Sequence, residues 1–362
     1  MNLDSMKLIL TLAIMEMKNK SIAIHHLLML PLALLVSSCV GEFLPDKLDA
    51  FDKDATFSQT TYRPTLGRTT VFTDNFNAGN CTQPLTFTLL NVRHADGTPA
   101  PELTTAYPVK IWKEPYLGTE KSLEEIENKR ATEYMPLLQV RKHSGEVIMM
   151  AEATSSLVKI SPDEGYLFDV KAENSGGYKE FADLQLIPTR EVEYEPNNID
   201  AETGIVTEDY VHPLSVTNMF KVGNNQRLLT TNDVQVWFRR NRELPASPTT
   251  LTIRFLGQDM TPINPAKFGK TNWSGLLHGF NMQMTDEYVR YEVAYPIPLV
   301  NIISDYTDKT GEKQHLSFAF DRIVRNNTRL TASMSFDFAI YKEGNWEIDF
   351  VFTGGTPDFE DK

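Results

Sequence analysis

Few of the residues able to do chemistry in this sequence stand at the spacings that chemistry requires. His94, His143, His212, His278 and His315 are spread singly, with no two at a metal-ligand separation, and read as surface or hydrogen-bonded core residues. Glu191, Glu193 and Glu195 alternate along one segment and so share a side. That arrangement suits a hard cation such as calcium but matches no EF-hand loop, and a solvated strand edge is the competing reading. Carboxylates are numerous enough for a glycosidase pair, yet the roughly 5 to 9.5 Å that must separate such a pair is set by tertiary structure. The sequence has no phosphate loop, dinucleotide fingerprint, nucleophile elbow or paired-histidine zinc helix, which lowers the expectation of an enzyme.

The four tryptophans sort by their surroundings. An exposed ring can stack on the C–H face of a sugar while amides and carboxylates bond its hydroxyls, so a displayed tryptophan is a candidate ligand contact. Trp273 lies in a polar, glycine-bearing stretch beside Asn272 and Lys270, and is the best single candidate; a loop anchor packed on the rim of the fold is the alternative. Trp237 follows Val234 and Val236 with a slip of register, so either Trp237 or Phe238 points outward. Trp112 and Trp346 read as core residues.

The remaining reactive group is a thiol. Leu27 to Val36 is an apolar run too short to span a bilayer, preceded by Lys18 and Lys20 and followed by Ser37-Ser38-Cys39. The stretch Leu35-Val36-Ser37-Ser38-Cys39 resembles the lipobox of bacterial lipoproteins. That resemblance implies acylation of the Cys39 sulfur, cleavage before it, and anchoring of the mature chain by two or more acyl chains. The first 38 residues are then a cleaved leader, with Met1 or Met17 as its start. Residues 39–60 read as a tether whose few acidic residues favour the outer face of the outer membrane. With Cys39 lipidated, Cys81 is the only thiol left, so neither an intrachain disulfide nor a cysteine metal site can form.

The whole chain carries a net charge of −13 at pH 7, and removal of a leader bearing one net positive charge leaves −14. Such a field disfavours nucleic acid and anionic lipid, and makes neutral ligands or cations the more natural partners.

These residues must be positioned by strands. From Thr69 onward apolar and polar residues alternate between turns rich in Gly, Pro, Asn and Asp, which predicts a mainly all-β protein of two β-sandwiches. Residues 61–195 hold strands at Thr69–Thr73, Leu85–Val92, Val109–Trp112, Glu146–Met150, Tyr166–Ala172 and Phe181–Ile187. The stretch Asp163-Glu164-Gly165-Tyr166 through Asn174 resembles the penultimate strand of immunoglobulin-like and fibronectin III domains, and implies a tyrosine corner at Tyr166. One helix is expected over 122–134, opened by a Ser122/Glu125 capping box. The acidic, aperiodic residues 196–212 read as a linker or long loop. Residues 213–362 predict a second sandwich, jelly-roll-like, ending in a hairpin of Leu330–Ile340 with Trp346–Phe352.

Lipobox, strand-built body and the closing Trp346-Glu347-Ile348-Asp349-Phe350 together resemble surface lipoprotein families of Bacteroidota described as domains of unknown function. Members are commonly encoded near polysaccharide-uptake systems. The resemblance implies a membrane-anchored, non-catalytic glycan-binding component that works with an outer-membrane transporter. A fimbria-type structural subunit with a releasable terminal strand, and a glycoside hydrolase, are the alternatives.

Overall fold

Strict alternation in Tyr166–Asn174 sends Tyr166, Phe168, Val170 and Ala172 to one side, and all four are completely buried. In the computed structural model, which describes residues 49–324 and 327–361, this strand is the spine of the first of two units. The expected leader and Cys39 lie outside the described residues. The strand, β10 (Tyr166–Asn174), lies between β5 (Thr86–His94) and β11 (Gly177–Leu186), antiparallel to both, while β2 (Thr61–Tyr62) joins β11 in parallel. A second sheet runs β3 (Thr70–Phe72), β9 (Val147–Met149), β8 (Leu138–Val140), and the two share one core. β1 (Thr56–Phe57) pairs with β4 (Phe76–Asn77) beside it. These two orders are those of an immunoglobulin-like sandwich. The tyrosine corner also forms, since the Tyr166 hydroxyl accepts the Lys159 amide at 2.8 Å and donates to Glu102 at 3.0 Å.

Between β5 and β8 the chain makes an excursion, β6 (Ala106–Trp112) paired with β7 (Arg130–Pro136). Two expectations are corrected here. The helix begins as predicted, with Ser122 Oγ accepting the Glu125 amide, but spans only Leu123–Asn128. Beyond Asn128, pairing with β6 outweighs local helix propensity, and Arg130 to Pro136 become strand. Trp112 does not enter the core either. It belongs to the excursion rather than to β5, is only half-buried, and stacks under the Arg130 guanidinium at 5.2 Å.

In the second unit β24 (Thr328–Ile340) pairs along its length with β23 (Gln314–Val324), and over shorter stretches with β16 (Ser215–Thr217) and β12 (Tyr194–Glu195). The other sheet has six strands, in the order β15 (Tyr210–Val211), β19 (Gln235–Arg240), β25 (Trp346–Val351), β20 (Thr250–Leu256), β22 (Val289–Glu292), β21 (Phe280–Met284). All neighbours are antiparallel except β20 and β25. Trp346, Ile348 and Phe350 of β25 meet Phe318, Phe336 and Phe338 of the facing sheet in a second core, where Trp346 is 1% exposed. Small ribbons complete the unit: β13 (Asn198–Ile199) with β14 (Val206–Glu208), and β17 (Phe220–Lys221) with β18 (Asn224–Leu228).

The closing hairpin is not formed. β24 and β25 follow each other in sequence but lie in different sheets, so their apolar faces look at each other across the core instead of lying side by side. The hairpin partner of β24 is β23. Residues 196–212 are likewise no bare linker, because they supply the β13–β14 ribbon and the edge strand β15.

Three polar contacts lock the units together. Arg68 donates to Glu195 and to the Tyr341 hydroxyl, each at 2.7 Å. Arg130 donates to the Tyr295 carbonyl at 2.7 Å. A third contact uses His278, whose Nε2 donates to the Glu120 carbonyl at 2.9 Å, leaving Nδ1 to accept the Tyr116 hydroxyl. Burial of Glu120 opposes its ionisation, but the Lys129 ammonium at 2.6 Å and the Leu117 amide outweigh this and push its pKa down to about 2. At neutral pH Glu120 is therefore a carboxylate, which holds Lys129 and the Leu117 amide within the first unit while its backbone carbonyl meets His278.

Candidate functional site

Burial of Val236 and Phe238 on β19 turns Gln235, Trp237 and Arg239 to the opposite, outer face of the six-stranded sheet. On β25 the same rule sends Glu347 and Asp349 outward, on β20 Thr252 and Arg254, and on β22 Arg290. Strand register then assembles them. Arg290, Thr252, Glu347 and Arg239 are successive cross-strand partners in one row, and Arg254, Asp349, Trp237 and Tyr210 in the next. Residues far apart in the chain thus become a single platform.

Asp349 is its centre. Although it lies on the outer face it is 0% exposed. Its Oδ1 accepts Arg254 Nε at 2.7 Å, its Oδ2 accepts Arg254 Nη2 at 3.0 Å, and Arg239 Nε stands 3.3 Å from Oδ2. Arg254 Nη2 also reaches Glu347 Oε2 at 2.7 Å, while Asn241 donates to Glu347 Oε1 at 2.7 Å. Every oxygen of the two carboxylates is held, which fixes the guanidinium planes. The Trp237 ring sits beside this lattice, 5.6 Å from the Tyr210 ring and 5.5 Å from the Arg239 guanidinium, with Nε1 donating to Gln235 at 3.3 Å.

The other expected contacts do not join it. The Trp273 ring packs against the second core beside Phe318 and Phe255, and its carbonyl accepts the Tyr291 hydroxyl at 2.6 Å. It is the loop anchor of the two readings. Asn272 is exposed and accepts the Ser274 hydroxyl, while Lys270 pairs with Asp321. Trp273 therefore faces the interior of the sandwich and Trp237 its exterior. Only Trp237, of the four, lies on the platform.

The cation site allowed by Glu191, Glu193 and Glu195 is not assembled. Glu191 bonds Ser155, Glu193 faces Arg240, and Glu195 bonds Arg68. Among the described residues no group of three or more His, Cys, Asp or Glu could hold a metal ion. The five histidines also stay apart: His94 meets Glu102, His315 meets Asp337, His143 and His212 bond backbone carbonyls, and His278 serves the joint.

Two concave sites compare poorly with the platform. The crevice at the joint, lined by Tyr116, His278, Tyr306 and Gln314, encloses about 20 Å³, room for little more than a water. The open groove at Asn91, Arg93 and Asp169 on the first unit has no aromatic lining, and its arginine is occupied by Asp169 and Asp183.

Arg239, Arg254, Arg290, Glu347 and Asp349 were not singled out in the sequence. The signal was present in each strand as a charged residue at the polar phase of the alternation, but their convergence depends on which strands pair. No curated protein matches the chain. A family model described as "Domain of unknown function (DUF5007)" matches residues 76–361, most of both units, and the chain belongs to that family.

Proposed function

We propose that this protein is a cell-surface lipoprotein, anchored through Cys39 in the outer membrane of a member of the Bacteroidota, that captures glycan without catalysis for a polysaccharide-uptake system. The observation that carries the reading is the Trp237 platform. A sugar needs an aromatic ring for its C–H face and fixed donors and acceptors for its hydroxyls, held on a rigid element so that little entropy is lost on binding. Trp237, Gln235, Arg239 and the Arg254–Asp349–Glu347 lattice offer that set on one sheet. The same lattice disfavours hydrolysis, since both carboxylates are already engaged on every oxygen.

The placement of the tether agrees with an anchored, outward-facing protein. Asp49 packs on the β10–β11 turn so closely that a Cβ on Gly176 would lie 2.1 Å from its carbonyl oxygen. The chain leaves for the second unit from the opposite end of that hairpin, about 30 Å away for nine residues. In this reading the first unit is a spacer between the tether and the second unit. Among the described residues no helix is long and apolar enough to cross a membrane.

Affinity gels and calorimetry against a panel of neutral and acidic polysaccharides test the binding. Trp237→Ala is expected to cost about 2 kcal/mol, roughly thirtyfold in affinity, while Trp273→Ala of a protein that still folds leaves binding unchanged. Full binding by Trp237→Ala would remove the platform from the account. For the anchor, Cys39→Ala is expected to move the protein from the membrane to the soluble fraction, and continued membrane fractionation would refute it.

A further inference from the structure

Two guanidinium groups on the platform have more donors than the protein uses. Arg290 donates from Nε to Thr252 Oγ1 at 3.0 Å and lies over the Tyr288 ring at 4.5 Å, and it forms no ion pair with any described residue. Arg239 has a side chain that is 44% exposed, and its one ionic contact is the 3.3 Å approach of Nε to an aspartate already held by both donors of Arg254. Among the described residues, the Nη groups of both arginines thus meet no protein acceptor. The two residues lie in one row, separated by Thr252 and Glu347 across three strand intervals, or about 14 Å. On a protein of net charge −13 the platform thus carries two uncommitted forks in one row, one of them beside the Trp237 ring.

Resting on the glycan-capture reading above, we propose that the ligand is an anionic polysaccharide lying across the strands, and that Arg290 and Arg239 bind the anionic groups of two of its sugars while the ring at the Arg239 end stacks on Trp237. A planar guanidinium presents paired N–H donors that match the paired oxygens of a carboxylate or a sulfate ester, and a charged acceptor makes the bonds roughly twice as strong as a hydroxyl does. The acidic remainder of the protein does not prevent this. At physiological salt its field is screened beyond about 8 Å, so the arginines at the contact dominate.

The test uses the mature chain with four probes: polygalacturonate, the same polymer with its carboxylates reduced to alcohols, dextran, and dextran sulfate. Polygalacturonate or dextran sulfate is expected to bind at least tenfold more tightly than its neutral counterpart. Whichever binds identifies carboxylate or sulfate as the group read. Arg290→Gln and Arg239→Gln should each weaken that binding about tenfold and flatten its salt dependence, with thermal melting unchanged. Equal binding of charged and neutral polymers, or full binding by both arginine variants, would overturn this inference and leave glycan capture standing. Failure of every glycan in the wider panel would overturn both.

Discussion

Phe350→Ala is expected to lower the stability of the second unit by about 3 to 5 kcal/mol, the cost of removing a buried phenyl ring from a core that relaxes only partly. Phe350 is completely buried on β25, the strand that runs through the middle of the six-stranded sheet. Its ring touches Phe255 at 5.5 Å in its own sheet and Phe318 and Phe336 at 5.1 and 5.7 Å in the facing one. Those three rings come from separate strands, so a cavity here weakens both sheets at once. Urea unfolding followed by circular dichroism measures it, and a loss below about 1 kcal/mol would show that this cluster does not hold the sandwich together. The position of β25 bears on function too. The strand is paired on both sides, by β19 and β20, and cannot be released without opening the second core.

Asp349→Ala should cost about 3 kcal/mol although the residue lies on the outer face. Removing it leaves Arg254 and Arg239 side by side without their shared anion, and breaking a buried pair at one partner is worse than never having had it. The loss stays at the low end of that range because Arg254 keeps Glu347 and is itself partly exposed. Two comparisons separate charge from packing. Asp349→Asn should cost less, since the shape and some hydrogen bonds survive. Asp349→Ala combined with Arg254→Met should recover part of the loss, because one uncompensated charge is gone. Denaturation midpoints of the three proteins decide this, and a double variant no better than the single would refute the electrostatic account. Glycan affinity should fall in all three, because the lattice that orients Arg239 beside Trp237 is dismantled.

Much of this architecture was legible residue by residue. The burial of Tyr166, Phe168, Val170 and Ala172 and the core positions of Trp346, Ile348 and Phe350 follow from alternation, because facing is a property of each strand alone, while the tyrosine corner was implied by the resemblance to immunoglobulin-like domains. Partnership is not such a property. Leu330–Ile340 and Trp346–Phe352 look like a hairpin because two complementary alternating strands flank a turn, yet the same pattern serves equally well when the chain arches from one sheet to the other.

The candidate site divides in the same way. Its ingredients, a tryptophan with an ambiguous register and charges on the polar phase of four strands, were determined by the sequence, as were the leader pattern at Cys39 and the acidic surface. Which ring would be displayed was decided only by tertiary structure, since the polar surroundings of Trp273 and the apolar ones of Trp237 do not determine what packs on either ring. The pairing of β19, β25, β20 and β22 turned scattered arginines and carboxylates into one lattice. Long-range pairing is chosen by how whole apolar faces pack together, and that choice is written in no single segment of the chain.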